Sequence, residues 1–114
     1  MGSYKDTEAR IKFPVICVYG ESGAGKTTYA KTFDAIILDG DSVRKYITSD
    51  LGYSEEDRRK NNELIAKIAM LLYHQGQKVV ISTVRADIAA KVLKVNNVPT
   101  EVYKINKKHK IKRV

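Results

Sequence analysis

The sequence predicts an α/β fold of three layers, in which a small, mainly parallel sheet of about four to five strands lies between helices. Short apolar runs rich in β-branched residues alternate along the chain with segments whose apolar residues recur at helical spacing. A glycine-rich loop separates the first such run from the segment that follows it. This alternation is typical of parallel strands joined by helical crossovers, with helices on both faces of the sheet.

The predicted elements follow one another with short connections. Ser54 and Asp57 form an S-x-x-D pattern that indicates the start of the longest helix, and Gly76 indicates its end. Residues 58–62 precede the amphipathic part of this helix, so we expect them to be free to contact a ligand or water. Strands are expected at 13–19, 35–38, 78–83 and 100–105, and further helices at 28–33, at 85–94 and, capped by Asp41 or Ser42, up to 47.

The size and charge of the chain fit one small domain. With 114 residues, we expect residues 1–114 to form a single minimal domain around one core. The formal net charge is +8, and six of the 21 basic residues lie within residues 104–113. Residues 106–114 are therefore expected to be either a basic tail or a basic edge strand.

The sequence gives no sign of a membrane protein or a secreted protein. No apolar run approaches the roughly 18 residues that a membrane-spanning helix needs, and residues 4–12 are too polar for the apolar part of a signal peptide. The single cysteine, Cys17, lies in the first predicted strand and is expected to be a buried apolar residue. We therefore expect a cytoplasmic location and no membrane partner.

The glycine-rich loop matches the pattern G-x-x-x-x-G-K-[ST] at every fixed position. The glycines of this phosphate-binding loop, or P-loop, let the backbone direct its N–H groups toward a polyphosphate at the start of a helix. Lys26 is expected to neutralise the β- and γ-phosphates of ATP, and the Thr27 hydroxyl to hold Mg²⁺. The residues expected to bind ATP are Gly20, Glu21, Ser22, Gly23, Ala24, Gly25, Lys26, Thr27 and Thr28.

Two acids follow the second predicted strand, at the edge of the sheet where ligands of α/β proteins bind. Asp39 is expected to hold Mg²⁺, directly or through water, and Asp41 to act as the base toward an acceptor hydroxyl. With Lys26 they form the predicted catalytic set. Ser82 ends the third strand and is expected at the same edge, where it would bind substrate. The alternative is that the two acids form a turn and that Asp41 caps a helix.

Three stretches that follow one another closely carry a resemblance to a known family. They are the P-loop at residues 20–28, LDGDSVR at residues 38–44 and DLGYSEEDR at residues 50–58. In this order they resemble the signatures of adenylylsulfate kinases, in an unusually short form. Those P-loop kinases transfer the γ-phosphate of ATP to the 3′-hydroxyl of adenosine 5′-phosphosulfate. The similarity extends from Val15 to Thr83 and more weakly to Tyr103.

The resemblance also implies an acceptor site. It makes Arg44, Arg58 and Asn61 ligands of the adenylylsulfate nucleotide, and it places Tyr53 where the family has a phenylalanine that stacks on adenine. A guanidinium group suits a phosphosulfate and an aromatic ring suits a purine, so the residue types fit this ligand. The residues alone also allow Arg58 and Asn61 to be solvated helix residues.

The sequence departs from the family pattern at several positions. Arg85 stands where the family has a serine, and Glu63 and Leu64 stand where it has two arginines. The family continues beyond the fourth strand into a basic lid, and we expect the basic residues within 107–113 to substitute for it. Two alternatives stay open: a P-loop kinase for another nucleotide, a nucleic-acid end or a small alcohol, and a nucleotide-binding protein without turnover. A homo-oligomer in which another subunit supplies the lid is compatible with the sequence.

Overall fold

The structure is a computed structural model and describes residues 13–114. Its centre is a sheet of five strands: β1 (Val15–Tyr19), β2 (Ile36–Asp39), β3 (Val79–Ser82), β4 (Thr100–Ile105) and β5 (Ile111–Arg113). The strand order is β2-β3-β1-β4-β5. The first four strands are parallel, and β5 pairs antiparallel with β4. The predicted α/β class with a mainly parallel sheet is confirmed.

Four helices connect the strands: α1 (Lys26–Ala30), α2 (Gly40–Tyr46), α3 (Glu55–His74) and α4 (Ala86–Val95). The prediction for the start of α3 is confirmed, because the Ser54 hydroxyl accepts a hydrogen bond from the Asp57 N–H at 3.1 Å. The prediction for the cap of α2 is wrong. Asp39 caps this helix, and its Oδ1 accepts a hydrogen bond from the Asp41 N–H at 3.1 Å.

The core lies on both faces of the sheet, which is why β1 is apolar along its whole length. Val15 and Cys17 pack in one buried cluster with residues of α2, α3 and α4. Ile16 and Val18, which alternate with them, pack in a second cluster on the opposite face with Ala30 of α1. A strand covered on both sides needs apolar residues at every position rather than at every second one.

The residues after β4 form a hairpin with it. Of the two arrangements expected for residues 106–114, the structure has the edge strand, because β5 pairs with the end of β4 and turns the chain back along the sheet. All residues of β5 are exposed. Within residues 13–114, no helix combines the length and the apolar character that crossing a membrane would require.

Candidate active site

A cavity of about 500 Å³ lies at the edge of the sheet where the parallel strands end. The P-loop after β1, the start of α2, the first turns of α3 and the residues after β3 surround it. Because these segments all follow strands or begin helices, the topology brings most of the predicted site residues together. Those that line the cavity are Ser22, Gly23, Gly25, Lys26, Thr27, Thr28, Asp39, Asp41, Arg44, Tyr53, Arg58 and Ser82.

The remaining P-loop residues, Gly20, Glu21 and Ala24, do not line the cavity. Gly20 and Ala24 are buried, and the Ala24 N–H donates a hydrogen bond to the Glu21 carbonyl oxygen at 3.1 Å. Lys26 Nζ donates to the same carbonyl oxygen at 2.9 Å. The lysine head group is thus held against the loop that it is expected to serve.

Lys26 lies in a partly desolvated position. Burial lowers the pKa of its ammonium group, and the charges of Asp41 and Asp39 oppose this effect. A buried ammonium group gains most from an anion placed beside it, because its own water shell is incomplete. The cavity therefore favours a negatively charged ligand next to Lys26.

The two acids after β2 have different roles in the fold. Asp39 lies opposite Ser82 in the β2–β3 pairing, and its Oδ2 accepts a hydrogen bond from the Ser42 hydroxyl at 2.8 Å. Asp41 is far more accessible, with 77% of its side chain exposed. Its Oδ1 accepts hydrogen bonds from the Tyr53 hydroxyl at 3.3 Å and from Arg44 Nη1 at 3.4 Å. Asp39 is therefore a fixed carboxylate, whereas Asp41 extends into the cavity.

Oxygen donors suitable for Mg²⁺ are present at the P-loop side of the cavity. The Thr27 hydroxyl and the Asp39 carboxylate both line it. Mg²⁺ prefers such hard oxygen ligands and commonly keeps several waters beside phosphate oxygens, so two protein groups suit it. No group of three or more His, Cys, Asp or Glu residues that could hold a metal ion occurs within residues 13–114.

Two arginines and an aromatic ring also line the cavity. The Arg44 guanidinium carbon lies 4.5 Å from the centre of the Tyr53 ring, and Arg44 Nε donates to the Gly52 carbonyl oxygen at 3.1 Å. Arg58 Nε is buried and has no hydrogen-bond partner within the described part of the chain. Arg58 lines the cavity through its other atoms, because Nε itself is covered by the protein.

Asn61 does not line the cavity, although the family resemblance makes it a ligand of the acceptor nucleotide. It is fully buried, its Oδ1 accepts a hydrogen bond from the Thr48 hydroxyl at 2.7 Å, and its Nδ2 donates to the Gly40 carbonyl oxygen at 3.4 Å. Gly40 lies between the two acids of the site. Asn61 therefore supports the turn that carries Asp39 and Asp41.

The neighbouring residue, Asn62, lines the cavity but was not singled out among residues 58–62. The expectation that these residues are free is wrong for Asn61 and Asn62, because both are buried. Asn62 is 1% exposed, its Nδ2 donates to the Arg58 carbonyl oxygen at 2.9 Å, and its Oδ1 accepts from the Thr83 hydroxyl at 2.7 Å. A signal was present: Asn61 and Asn62 lie one helical turn before the buried Ile65 and Ala66, so both continue the buried face of α3.

Two further cavity residues, Arg85 and His109, were also missing from the predicted site. Arg85 holds Asp87 through two hydrogen bonds of 3.0 and 3.1 Å and pairs with Glu55 at 2.6 Å, so it ties the start of α4 to the start of α3. His109 belongs to the turn between β4 and β5, and its Nδ1 lies 3.0 Å from the Ala24 carbonyl oxygen. Only tertiary structure could place His109 at the P-loop.

The fold and the cavity together define a class of protein. A P-loop with its lysine and threonine follows β1, one carboxylate ends β2 and a second follows it, and two arginines line the same cavity, as in P-loop kinases of the nucleotide kinase type. The chain belongs to the adenylylsulphate kinase family, since the model of that family matches residues 12–107.

Individual relatives agree with this assignment. The adenylyl-sulfate kinase of Bacillus licheniformis is 37% identical over 78 residues, and that of Pseudomonas aeruginosa is 38% identical over 79 residues. These matches cover 60% and 61% of this chain but only 40% of each relative. The chain therefore spans well under half the length of these curated relatives.

A solved structure extends the comparison. The structure of the Mycobacterium tuberculosis APS kinase CysC in complex with AMPPNP and APS superposes with a TM-score of 0.73 at 26% sequence identity. The superposition covers 83% of this chain and 63% of that one. The shared fold thus includes most of the chain.

Proposed function

We propose that this chain transfers the γ-phosphate of ATP to the 3′-hydroxyl of adenosine 5′-phosphosulfate, giving ADP and the 3′-phosphorylated product. The observation that carries the proposal is that the P-loop, two carboxylates, Arg44 and Arg58 line the same cavity. The names of the Bacillus and Pseudomonas relatives support the same reaction.

ATP would occupy the P-loop end of the cavity. Lys26 lies there in a partly desolvated position that favours an anion, and the loop's N–H groups and Thr28 would surround the phosphates. The structure of the Mycobacterium relative is a complex with AMPPNP, which is an analogue of ATP. Thr27 and Asp39 would hold Mg²⁺, which would neutralise phosphate charge when bound.

The acceptor nucleotide would occupy the other end of the cavity. Tyr53 is 63% exposed and offers one ring face to a purine, and Arg44 and Arg58 offer guanidinium groups to the phosphosulfate. Ser82 also lines the cavity and lies opposite Asp39 in the sheet.

Asp41 is the group best placed to accept the proton of the acceptor hydroxyl. In the proposed step, the 3′-oxygen attacks the γ-phosphorus, its proton passes to an oxygen of Asp41, and the bond from the γ-phosphorus to the bridging oxygen breaks to release ADP. The exposed carboxylate of Asp41 extends into the cavity, whereas Asp39 is bound to the start of α2.

An acceptor panel tests this proposal. The protein is incubated with MgATP and either adenylylsulfate, a nucleoside set or an oligonucleotide with a 5′-hydroxyl, and ADP release is followed. We expect turnover with adenylylsulfate and a loss of at least about a hundredfold in Asp41→Asn. The matched control is Asp50→Asn, since Asp50 is an exposed acid outside the cavity. Near-normal turnover in Asp41→Asn would remove Asp41 from this role.

The panel also separates the alternatives. Turnover only with another acceptor would indicate a different P-loop kinase, and ATP binding without turnover would indicate a nucleotide-binding protein. The proposed setting is the reducing cytoplasm, which suits the free and buried Cys17. A homo-oligomer would be detected by light scattering of the same protein.

A further inference from the structure

We propose that the β4–β5 turn, residues 106–110, is a clasp on the P-loop and that His109 is the residue through which it positions the loop for ATP. This inference rests on the proposed function, because it concerns the same nucleotide. His109 lines the cavity beside the P-loop residues although it lies more than eighty positions further along the chain. Its role follows from three sets of contacts.

The first contact fixes the orientation of the histidine ring. His109 Nδ1 lies 3.0 Å from the Ala24 carbonyl oxygen. A carbonyl oxygen can only accept a hydrogen bond, so Nδ1 must carry the proton and donate it. The P-loop binds phosphate through N–H groups that point toward the anion, which requires its carbonyl groups to point elsewhere. By bonding the Ala24 carbonyl, His109 holds one peptide of the loop in that orientation.

The second set of contacts joins the same two segments beside the ring. Lys107 Nζ lies 3.1 Å from a carboxylate oxygen of Glu21, the second residue of the loop. Both side chains are exposed, at 70% and 71%, so this ion pair adds little by itself. A side chain at Gly25 would place its Cβ 3.0 Å from His109 Nδ1, so the glycine leaves room for the ring. Gly25 also has φ +94°, a conformation that other residues rarely adopt.

The third set of contacts makes the turn rigid without the P-loop. Asn106 Oδ1 accepts hydrogen bonds from the N–H groups of Lys108 at 2.9 Å and of Lys110 at 3.0 Å. The His109 N–H donates to the Asn106 carbonyl oxygen at 2.8 Å, and His109 itself has φ +62°. The ring is therefore presented by a turn with its own hydrogen bonds. A contact that is already ordered before the ligand arrives lowers the entropy cost of binding.

The test compares ATP affinities of three variants by calorimetry, with the full chain and MgATP. His109→Gly removes the ring but tolerates the positive φ, and we expect the dissociation constant to rise about three- to tenfold, the effect of one lost hydrogen bond. His109→Asn places its amide nitrogen near the position of Nδ1 and tolerates the same backbone, so we expect affinity within about twofold of the unaltered chain. His109→Gln, which extends its amide toward the position of Nε2, should behave like His109→Gly.

The outcomes separate the clasp from the proposed function. Equal affinity of His109→Gly and the unaltered chain would overturn the clasp while leaving ATP binding intact. Rescue by Gln but not by Asn would also overturn it, since the ring would then act through Nε2 rather than through Ala24. If the folded, unaltered chain bound no MgATP, both the clasp and the proposed function would be wrong. Lys91→Ala, at an exposed position of α4 outside the cavity, is the matched control and should leave affinity unchanged.

Discussion

The Tyr53 hydroxyl lies 3.3 Å from Oδ1 of Asp41, so the ring expected to stack on the acceptor contacts the proposed base. Arg44 completes this group, because its guanidinium lies over the Tyr53 ring and its Nη1 is 3.4 Å from the same oxygen of Asp41. The phenylalanine found at this position in the family pattern has no hydroxyl and could not make the first contact. The orientation of Asp41 in this chain is therefore linked to Tyr53, the residue proposed to stack on the acceptor.

Two substitutions of Tyr53 separate its ring from its hydroxyl. A hydrogen bond of 3.3 Å is long, so Tyr53→Phe should lower kcat/KM for adenylylsulfate by no more than about threefold. Tyr53→Ala removes the stacking surface and should raise the acceptor KM by about five- to a hundredfold, since stacking of one base on an aromatic ring contributes about 1–3 kcal/mol. Initial rates at saturating MgATP measure both. A Phe variant as impaired as the Ala variant would show that the hydroxyl, not the ring face, matters.

Arg58 should be sensitive to the shape of its head group as well as to its charge. Arg58→Lys keeps the charge but removes the guanidinium and its buried Nε, so we expect the acceptor KM to rise by about tenfold or more, with little change in the KM for ATP. The matched control is Arg59→Lys. Arg59 is the next residue on α3, but it pairs with Glu56 and Glu63 on the exposed side of the helix. Equal effects of the two substitutions would argue against a ligand role for Arg58.

The sequence contained enough information for the fold because its signals were local. Apolar β-branched runs marked the four parallel strands, and the Ser54 cap marked the start of α3 within one residue. The P-loop was predictable for the same reason, since its spacing is read within nine residues. Asp39 and Ser82 were expected to lie together because both end parallel strands. In the structure they lie opposite each other in the pairing of β2 and β3.

The parts of the site that were missed depend on contacts between distant segments. His109 reaches Ala24 only because β4 lies beside β1 and the hairpin returns over the loop. Asn61 and Asn62 are adjacent on α3, but their side chains contact different parts of the structure, and their roles differ for that reason. Asn61 meets Thr48 and the backbone of Gly40, whereas Asn62 meets the end of β3 and the cavity. A motif match assigns a residue type to a position but does not show which way its side chain points.

The Cys17 thiol should be unreactive in the folded protein. It is fully buried in β1, and burial raises its pKa to about 12, with the charge of Lys94 opposing the shift. The thiolate is the reactive form of cysteine, so the native protein should not react with a disulfide reagent between about pH 7 and pH 9. The rate of this reaction should rise only when the chain is unfolded. Absorbance of the released thiol, with and without guanidinium chloride, measures this. Rapid reaction of the native protein at pH 8 would contradict the placement of Cys17, and Cys17→Ala provides the blank.

Asn61 gives the clearest distinction between a ligand and a structural support. In Asn61→Ala the Gly40 carbonyl oxygen and the Thr48 hydroxyl lose their buried partner, so we expect the free energy of unfolding to fall by about 1–3 kcal/mol. We also expect kcat to fall, because Gly40 lies between Asp39 and Asp41 and the turn would be less well ordered. Urea unfolding and steady-state rates measure the two effects.

Asn61→Ala should change different quantities if Asn61 contacts the acceptor. A residue that only binds substrate would leave the free energy of unfolding unchanged and raise the acceptor KM, whereas a support for the turn lowers stability and kcat with a smaller change in KM. Asn96→Ala is the control, since the exposed Asn96 bonds a backbone carbonyl of α4 far from the acids and should change stability by about 0.5 kcal/mol or less. We expect the result for a support of the turn, because the Asn61 side chain is fully buried and already bonds Thr48 and the backbone of Gly40.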